Sequence, residues 1–254
     1  MKNFDFNPID SKMIMPLVFH KIVEGNAEDW EDVNKDYFEK FLDIIGKNHV
    51  VFRPNGKLDG TGWCITFDDG NISDYDIAYP ILKSKGIRAT FFLILSQVGK
   101  KGYLDWPKVL EMHHHGMSFG SHGLNHLSMN TLSAKDAYNE LKISKDILED
   151  KIGEHVSSFS YPYGEYNFKT HKIAKNVGYN FIFTSDHGIE KRNATILPRN
   201  NVHSAMNLSK ISDFLRPSIS LRAKWAIEDS TKTIIKGIIG RKNYIKIREL
   251  IIHD

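Results

Sequence analysis

Two short stretches of this 254-residue chain carry side chains that could do chemistry together. In the first, the apolar residues Ile65, Thr66 and Phe67 run into two adjacent carboxylates and a glycine, Asp68, Asp69 and Gly70. In the second, His122 and His126 stand four positions apart, after a short apolar segment at 117–119. Both sets follow segments of strand length, and parallel α/β folds place reactive groups at the carboxyl ends of their strands. Imidazoles four residues apart share a face on a helical turn, and neutral imidazole nitrogen is a preferred zinc ligand. Asp69, His122 and His126 are therefore candidate ligands of one divalent ion, zinc first, with cobalt or nickel as alternatives. Coordination positions would be left open for water and substrate, as in a catalytic site. Asp68 would stay off the ion and act as a base. Consecutive side chains leave a strand in opposite directions, but a turn at Gly70 lets both carboxylates reach one pocket.

The elements that must position these groups alternate along the chain. Apolar segments at 13–19, 63–68, 88–95, 117–121, 157–161, 179–184 and 196–202 read as strands. Helical patterns fall between them near 32–45, 73–85, 106–115, 133–151, 167–176 and 208–215, with Ser133 and Asp136 suited to an N-terminal cap region. Residues 56–62 and 99–102 read as loops. Seven strands alternating with helices predict a parallel α/β sheet, and the count suits a closed barrel one unit short of eight.

The segments Thr66-Phe67-Asp68-Asp69-Gly70 and Ser121-His122-Gly123-Leu124-Asn125-His126 resemble the first two motifs of the polysaccharide deacetylase family. This is the NodB-homology or carbohydrate esterase family 4 group, metal-dependent hydrolases that remove N-acetyl, sometimes O-acetyl, groups from glycans. Tyr161-Pro162-Tyr163-Gly164-Glu165 is similar to the third motif, and the resemblance covers most of residues 13–215. It implies a distorted seven-stranded (β/α) barrel, substrate contacts from Tyr161, Pro162, Tyr163 and Gly164, and an oxyanion contact from the backbone N–H of Tyr163.

The general acid of the family is a histidine near the end of the last conserved strand. The C-terminal candidate, His203, follows Asn201 and Val202, so an apolar position is polar. Leu17-Val18-Phe19-His20 fits better and resembles the opening of circularly permuted members, including poly-N-acetylglucosamine deacetylases. In a closed barrel the last strand pairs with the first, so His20 can reach the same place from the other terminus. His20 is the expected acid. Ser160 stands where the third motif commonly has an arginine that orients the base. The nearest substitute is Arg199, in Leu197-Pro198-Arg199, which is expected to enter the pocket and pair with Asp68. Asp186 occupies roughly the place of the fourth motif and reads as a loop carboxylate.

Composition limits the alternatives. With 41% hydrophobic residues the chain can bury one large core, and Cys64 is the only cysteine. Residues 1–10 lack an apolar leader segment, so a cytoplasmic protein is expected. Residues 216–254 hold nine Lys/Arg against four Asp/Glu, so the net charge of +3 belongs to the tail. No nucleic-acid motif accompanies it, and a nucleic-acid partner is not expected. The division expected is a catalytic domain at 1–215 and a basic amphipathic extension at 216–254. The isoleucines 234, 235, 238, 239, 247 and 251 suggest two short helices around Gly240, packed on the barrel; peripheral attachment to the inner face of a membrane is the sharper alternative.

The expected function is metal-dependent removal of N-acetyl groups from amino sugars of a glycan. Hydrolysis of another amide or ester, such as an N-formyl sugar or an O-acetyl group, is an alternative. A catalytically inactive glycan-binding barrel is another.

Overall fold

The computed structural model describes residues 12–46, 50–52, 58–60, 62–239 and 243. Its centre is a ring of parallel strands: β1 (Met13–Phe19), β2 (Gly62–Phe67), β3 (Thr90–Leu93), β4 (Ser118–Ser121), β5 (Ser158–Ser160), β6 (Phe181–Phe183), β7 (Ile196–Leu197) and β8 (Asn200–Asn201). Each of β1 to β6 pairs in parallel with the next, and β8 pairs back on β1, with Leu17 opposite Asn200 and Val18 opposite Asn201. The expected strand at 196–202 is thus two pieces that together form the seventh stave of a distorted barrel. Proline has no N–H to give a ladder, so the break falls at Pro198 and Arg199. Arg199 N–H leaves the sheet and donates to the Asp186 carbonyl at 2.8 Å.

Alternation along the staves separates two cores. Phe19, Phe67 and Phe91 face outward and stack in a row, with centroids 5.3 and 4.8 Å apart, and Phe38 and Phe41 of helix α1 (Lys35–Ile45) meet Phe19 edge-on. Inside the ring, Ile14, Cys64, Phe92, Phe181, Phe183 and Leu197 form a small plug. Phe92 fits because position 120 is glycine: a Cβ there would lie 2.4 Å from a Phe92 ring carbon and 2.6 Å from Ser158 Oγ.

The helices start where caps allow. Asn34 accepts from the N–H groups of Asp36 and Tyr37 to open α1, and Ser133 accepts from Asp136 N–H to open α2 (Ala134–Ile152). Three local expectations are corrected. Residues 58–60 form a strand paired with 50–52 rather than a loop. The helix at 73–85 opens with a π turn at Asp74–Ala78 before a regular Tyr79–Lys85. Residues Asp32–Asn34 pair with Lys21–Val23, so α1 begins only at Lys35.

The tail from Ile219 is one 21-residue helix, Ile219–Ile239. Trp225, 6% exposed, stacks on His187 at 5.6 Å and takes the edge of Phe214 at 5.9 Å. Ile219, Ile227, Ile234 and Ile238 lie on the exposed side. The second expected tail helix and the N-terminal residues 1–10 lie outside the described residues. Among the described residues no helix is long and apolar enough to cross a membrane.

Candidate active site

All the staves deliver their carboxyl ends to one mouth, where a cleft of about 370 Å³ is lined by His20, Asp68, Asp69, His122, His126 and Arg199 among others. Backbone bonds carry the ladder one step past the strands: Asp68 N–H donates to the Phe19 carbonyl at 3.0 Å and His122 N–H to the Leu93 carbonyl at 2.8 Å. The two carboxylates then part because Asp69 itself takes a left-handed backbone, φ 74°, ahead of Gly70 at 72°. The turn expected from the glycine begins one residue earlier.

His122 and His126 do converge, although not on a helical turn: residues 122–128 are irregular, with Gly123 at φ 83° and His126 at 57°. Glu140 of α2 holds this loop, accepting from Leu124 N–H at 3.0 Å, Asn125 N–H at 2.9 Å and Asn125 Nδ2 at 2.6 Å. The three described non-glycine residues with positive φ are Asp69, His126 and Tyr163, all at the cleft. A left-handed backbone costs such residues about 1–3 kcal/mol each, and strain of this kind clusters where function over-determines the geometry.

One ligand atom each from Asp69, His122 and His126 lies within 4.8 Å of the others. Both imidazole Nε2 atoms stand 3.5 Å from Asp69 Oδ1. His122 Nδ1 sits 2.9 Å from the Ser160 carbonyl, which can only accept, so Nδ1 carries the proton and Nε2 offers its lone pair to the cleft. Asp69 Oδ1 is buried without a hydrogen bond from the described residues. Two ring nitrogens and one anionic oxygen around an unsatisfied acceptor are a donor set that could hold a divalent cation.

Asp68 lies beside that trio, its Oδ2 3.8 Å from His122 Nε2, but its carboxylate is engaged on the other side. Arg199 grips it in a fork, Nη1 to Oδ1 and Nη2 to Oδ2, each at 2.6 Å. The same guanidinium donates to Ser160 Oγ at 2.7 Å and to the Thr184 carbonyl at 3.0 Å, and it lies over the adjoining rings of Phe92 and Phe183. Ser160 Oγ in turn donates to Asp68 Oδ2 at 3.2 Å. A serine at position 160 leaves room for a guanidinium arriving from the broken seventh stave. Burial alone would raise the Asp68 carboxyl; the charge of Arg199 and its hydrogen bonds outweigh it and hold the group well below the usual carboxylate range.

His20 reaches the mouth from β1, with Glu31 Oε1 3.8 Å from its Nε2. Burial opposes its protonation, but the carboxylates of Glu31, Asp69 and Asp68 together raise its pKa above the ordinary value. His203 lines the same cleft from the far side of β8. Of the third-motif residues, only Tyr163 faces the cleft, its ring 4.3 Å from His126. Tyr161, Pro162 and Gly164, from which substrate contacts are also expected, do not line the cleft. Tyr161 is fully buried and stacked on Tyr166, Pro162 is buried, and Gly164 packs on Ser185. Asp186 accepts from Tyr166 Oη at 3.2 Å, as a loop carboxylate.

Sequence reasoning missed several contributors. Trp30 and Glu31 come from an irregular loop with no pattern to flag them. Glu140 had a signal: it lies on the α2 face that buries Ala137, Leu141 and Ser144. Glu228 and Lys232 of the tail helix line the cleft, so what read as a packed extension builds one of its walls. That helix is pinned by Asp229, which takes the His187 backbone N–H at 2.8 Å and sits 2.9 Å from His187 Nδ1.

Known proteins share this arrangement of sequence and fold. The sequence model of the polysaccharide deacetylase family matches residues 55–182. YxkH of Bacillus subtilis (strain 168), which carries a polysaccharide deacetylase name, is 34% identical over 203 residues, covering 76% of this chain and 72% of that protein. The poly-beta-1,6-N-acetyl-D-glucosamine N-deacetylase of Staphylococcus aureus (strain MSSA476) is 29% identical over 59% of this chain, which spans 56% of that protein's length. Among solved structures, the Streptococcus pyogenes deacetylase PplD in complex with acetate superposes with a TM-score of 0.74 at 27% identity, over 83% of this chain and 100% of that one. IcaB from Ammonifex degensii shares the fold at a TM-score of 0.67 and 22% identity, over 81% of this chain and 96% of that one. By the family match and the Bacillus relative, on a barrel of the same kind, the chain belongs to the polysaccharide deacetylase family.

Proposed function

We propose that this chain is a metal-dependent hydrolase that removes N-acetyl groups from the amino sugars of a glycan and releases acetate. The observation that carries the reading is the division of two adjacent carboxylates between two settings. Asp69 faces a pair of imidazoles, while Asp68 is buried in the fork of Arg199. Asp69, His122 and His126 would hold the divalent ion, zinc first. When bound, such an ion polarises an acetamide carbonyl and acidifies water, whose free pKa is about 15.7.

The protein's own groups supply the rest. Asp68, kept ionised and oriented by Arg199, is the acceptor for the proton of the attacking water. The Tyr163 backbone N–H is the contact the family resemblance assigns to the tetrahedral oxyanion. His20, at the cleft mouth beside Glu31, is the group placed to carry the proton that the leaving amine needs. Trp30 and Tyr163 offer ring faces in the cleft on which a sugar can pack. The case for an inactive barrel rested on Ser160 in place of an arginine; Arg199 occupies that role from another strand. Acetate release from N-acetylglucosamine oligomers tests the proposal. Turnover should vanish on chelation and return with zinc, cobalt or nickel. Turnover indifferent to chelation, or none with any of these ions, contradicts it.

A further inference from the structure

Asn201 stands at the carboxyl end of β8, and no step above uses it. Its neighbour Asn200 is fully buried with its carboxamide consumed. Asn200 Oδ1 accepts from Gly188 N–H at 3.1 Å, and Nδ2 donates to the carbonyls of Gly188 at 2.6 Å and Pro16 at 3.2 Å. Alternation along the strand sends Asn201 the other way, into the cleft, opposite Val18, which also lines it. There both Oδ1 and Nδ2 are buried with no hydrogen bond from the described residues. An unpaired buried carboxamide carries its desolvation penalty uncompensated, and the terminal torsion of asparagine is soft. A group entering the cleft can therefore draw the carboxamide toward itself at little conformational cost.

The neighbouring strand indicates which group. His20 lies two residues beyond Val18, so Asn201 and His20 share the cleft face of the β1–β8 pair. If His20 delivers a proton to the leaving amine, this is the nitrogen side of the scissile bond. An acceptor there meets an N–H when the substrate is an acetamide and meets no hydrogen when it is an acetate ester. We infer that Asn201 is a specificity-determining residue, its Oδ1 taking the substrate N–H so that the cleft selects N-acetyl over O-acetyl groups. The inference rests on the deacetylase reading and deepens it. A neutral carboxamide supplies the acceptor without placing a third carboxylate beside Asp68 and Asp69.

The test compares kcat/KM of the metal-loaded protein on an N-acetylglucosamine oligomer and on 4-nitrophenyl acetate, for the natural chain, Asn201→Leu and Asn201→Ala. The alanine variant guards against misfolding caused by an apolar side chain. Both variants should lose about five- to hundredfold on the amide, the scale of one buried hydrogen bond, and stay within about threefold on the ester. The amide-to-ester ratio should therefore fall, which a merely structural loss would not produce. An unchanged ratio, whether both activities persist or both fall equally, overturns the role of Asn201 and leaves the deacetylase reading standing. A natural chain that cleaves the ester and no N-acetyl substrate overturns both before any variant is made.

Discussion

Replacing Arg199 by methionine is the perturbation to which the barrel should be most sensitive. The guanidinium is 1% exposed and donates to Asp68 twice at 2.6 Å, to Ser160 Oγ at 2.7 Å and to the Thr184 carbonyl at 3.0 Å. Methionine keeps much of the packing against Phe92 and Phe183 but leaves the Asp68 carboxylate buried and unpaired. Breaking a buried pair in this way costs about 3–5 kcal/mol. For a domain of this size about 1 kcal/mol moves Tm by about 2–4 °C, so the midpoint should fall by about 6–20 °C. Thermal unfolding followed by circular dichroism gives the shift, and acetate release by the surviving native fraction should be lost with the orientation of Asp68. The double variant Arg199→Met with Asp68→Asn removes the stranded charge and should recover part of the stability but none of the turnover. A single variant melting within about 2 °C of the natural chain, with activity within a few-fold, would refute the reasoning that this pair anchors the site.

Other consequences are equally concrete. Trp225→Ala removes the ring stacked on His187 and loosens the wall carrying Glu228 and Lys232; KM for an oligomeric substrate should rise about tenfold while kcat on a small acetate ester changes little. Burial raises the Asp229 carboxyl, but its hydrogen bonds from His187 lower it further, so its folded pKa lies below the ordinary value. That contribution is complete above about pH 4 and fades as pH falls through the folded pKa, so hydrogen-exchange protection in Ile219–Ile239, taken relative to the intrinsic rate at each pH, should be the first to fall on acidification. Gly120→Ala forces a methyl to 2.4 Å from the Phe92 ring and should cost about 1–3 kcal/mol, read from denaturant unfolding.

What the sequence disclosed and what it hid divide along a physical line. Strand-length apolar runs and their punctuation gave seven staves and the mouth at which they end, because burial on both faces of a parallel sheet writes itself into local composition. Asp68, Asp69 and His122 were legible for the same reason, standing at the end of such runs, and His126 by its spacing from His122. The conformation that unites them was not: a left-handed backbone is uncommon even for Asp and His, which tolerate it better than most residues, and at Asp69 and His126 it is imposed by tertiary constraint. The approach of Arg199 to Asp68 was expected from the missing arginine at Ser160, but the break in the seventh stave that admits it was not. The tail was read from its apolar spacing alone, which shows that a helix packs and leaves open what it packs against. Only the fold puts Glu228 and Lys232 beside His187.

The central claim is that neighbouring carboxylates do different work, and the pair of variants Asp68→Asn and Asp69→Asn tests it most directly when metal content and acetate release are measured on the same samples. Asp68→Asn should retain about one equivalent of zinc after dialysis and release no acetate, whereas Asp69→Asn should lose both. Equal metal loss in the two variants, or turnover surviving in Asp68→Asn, would contradict the account.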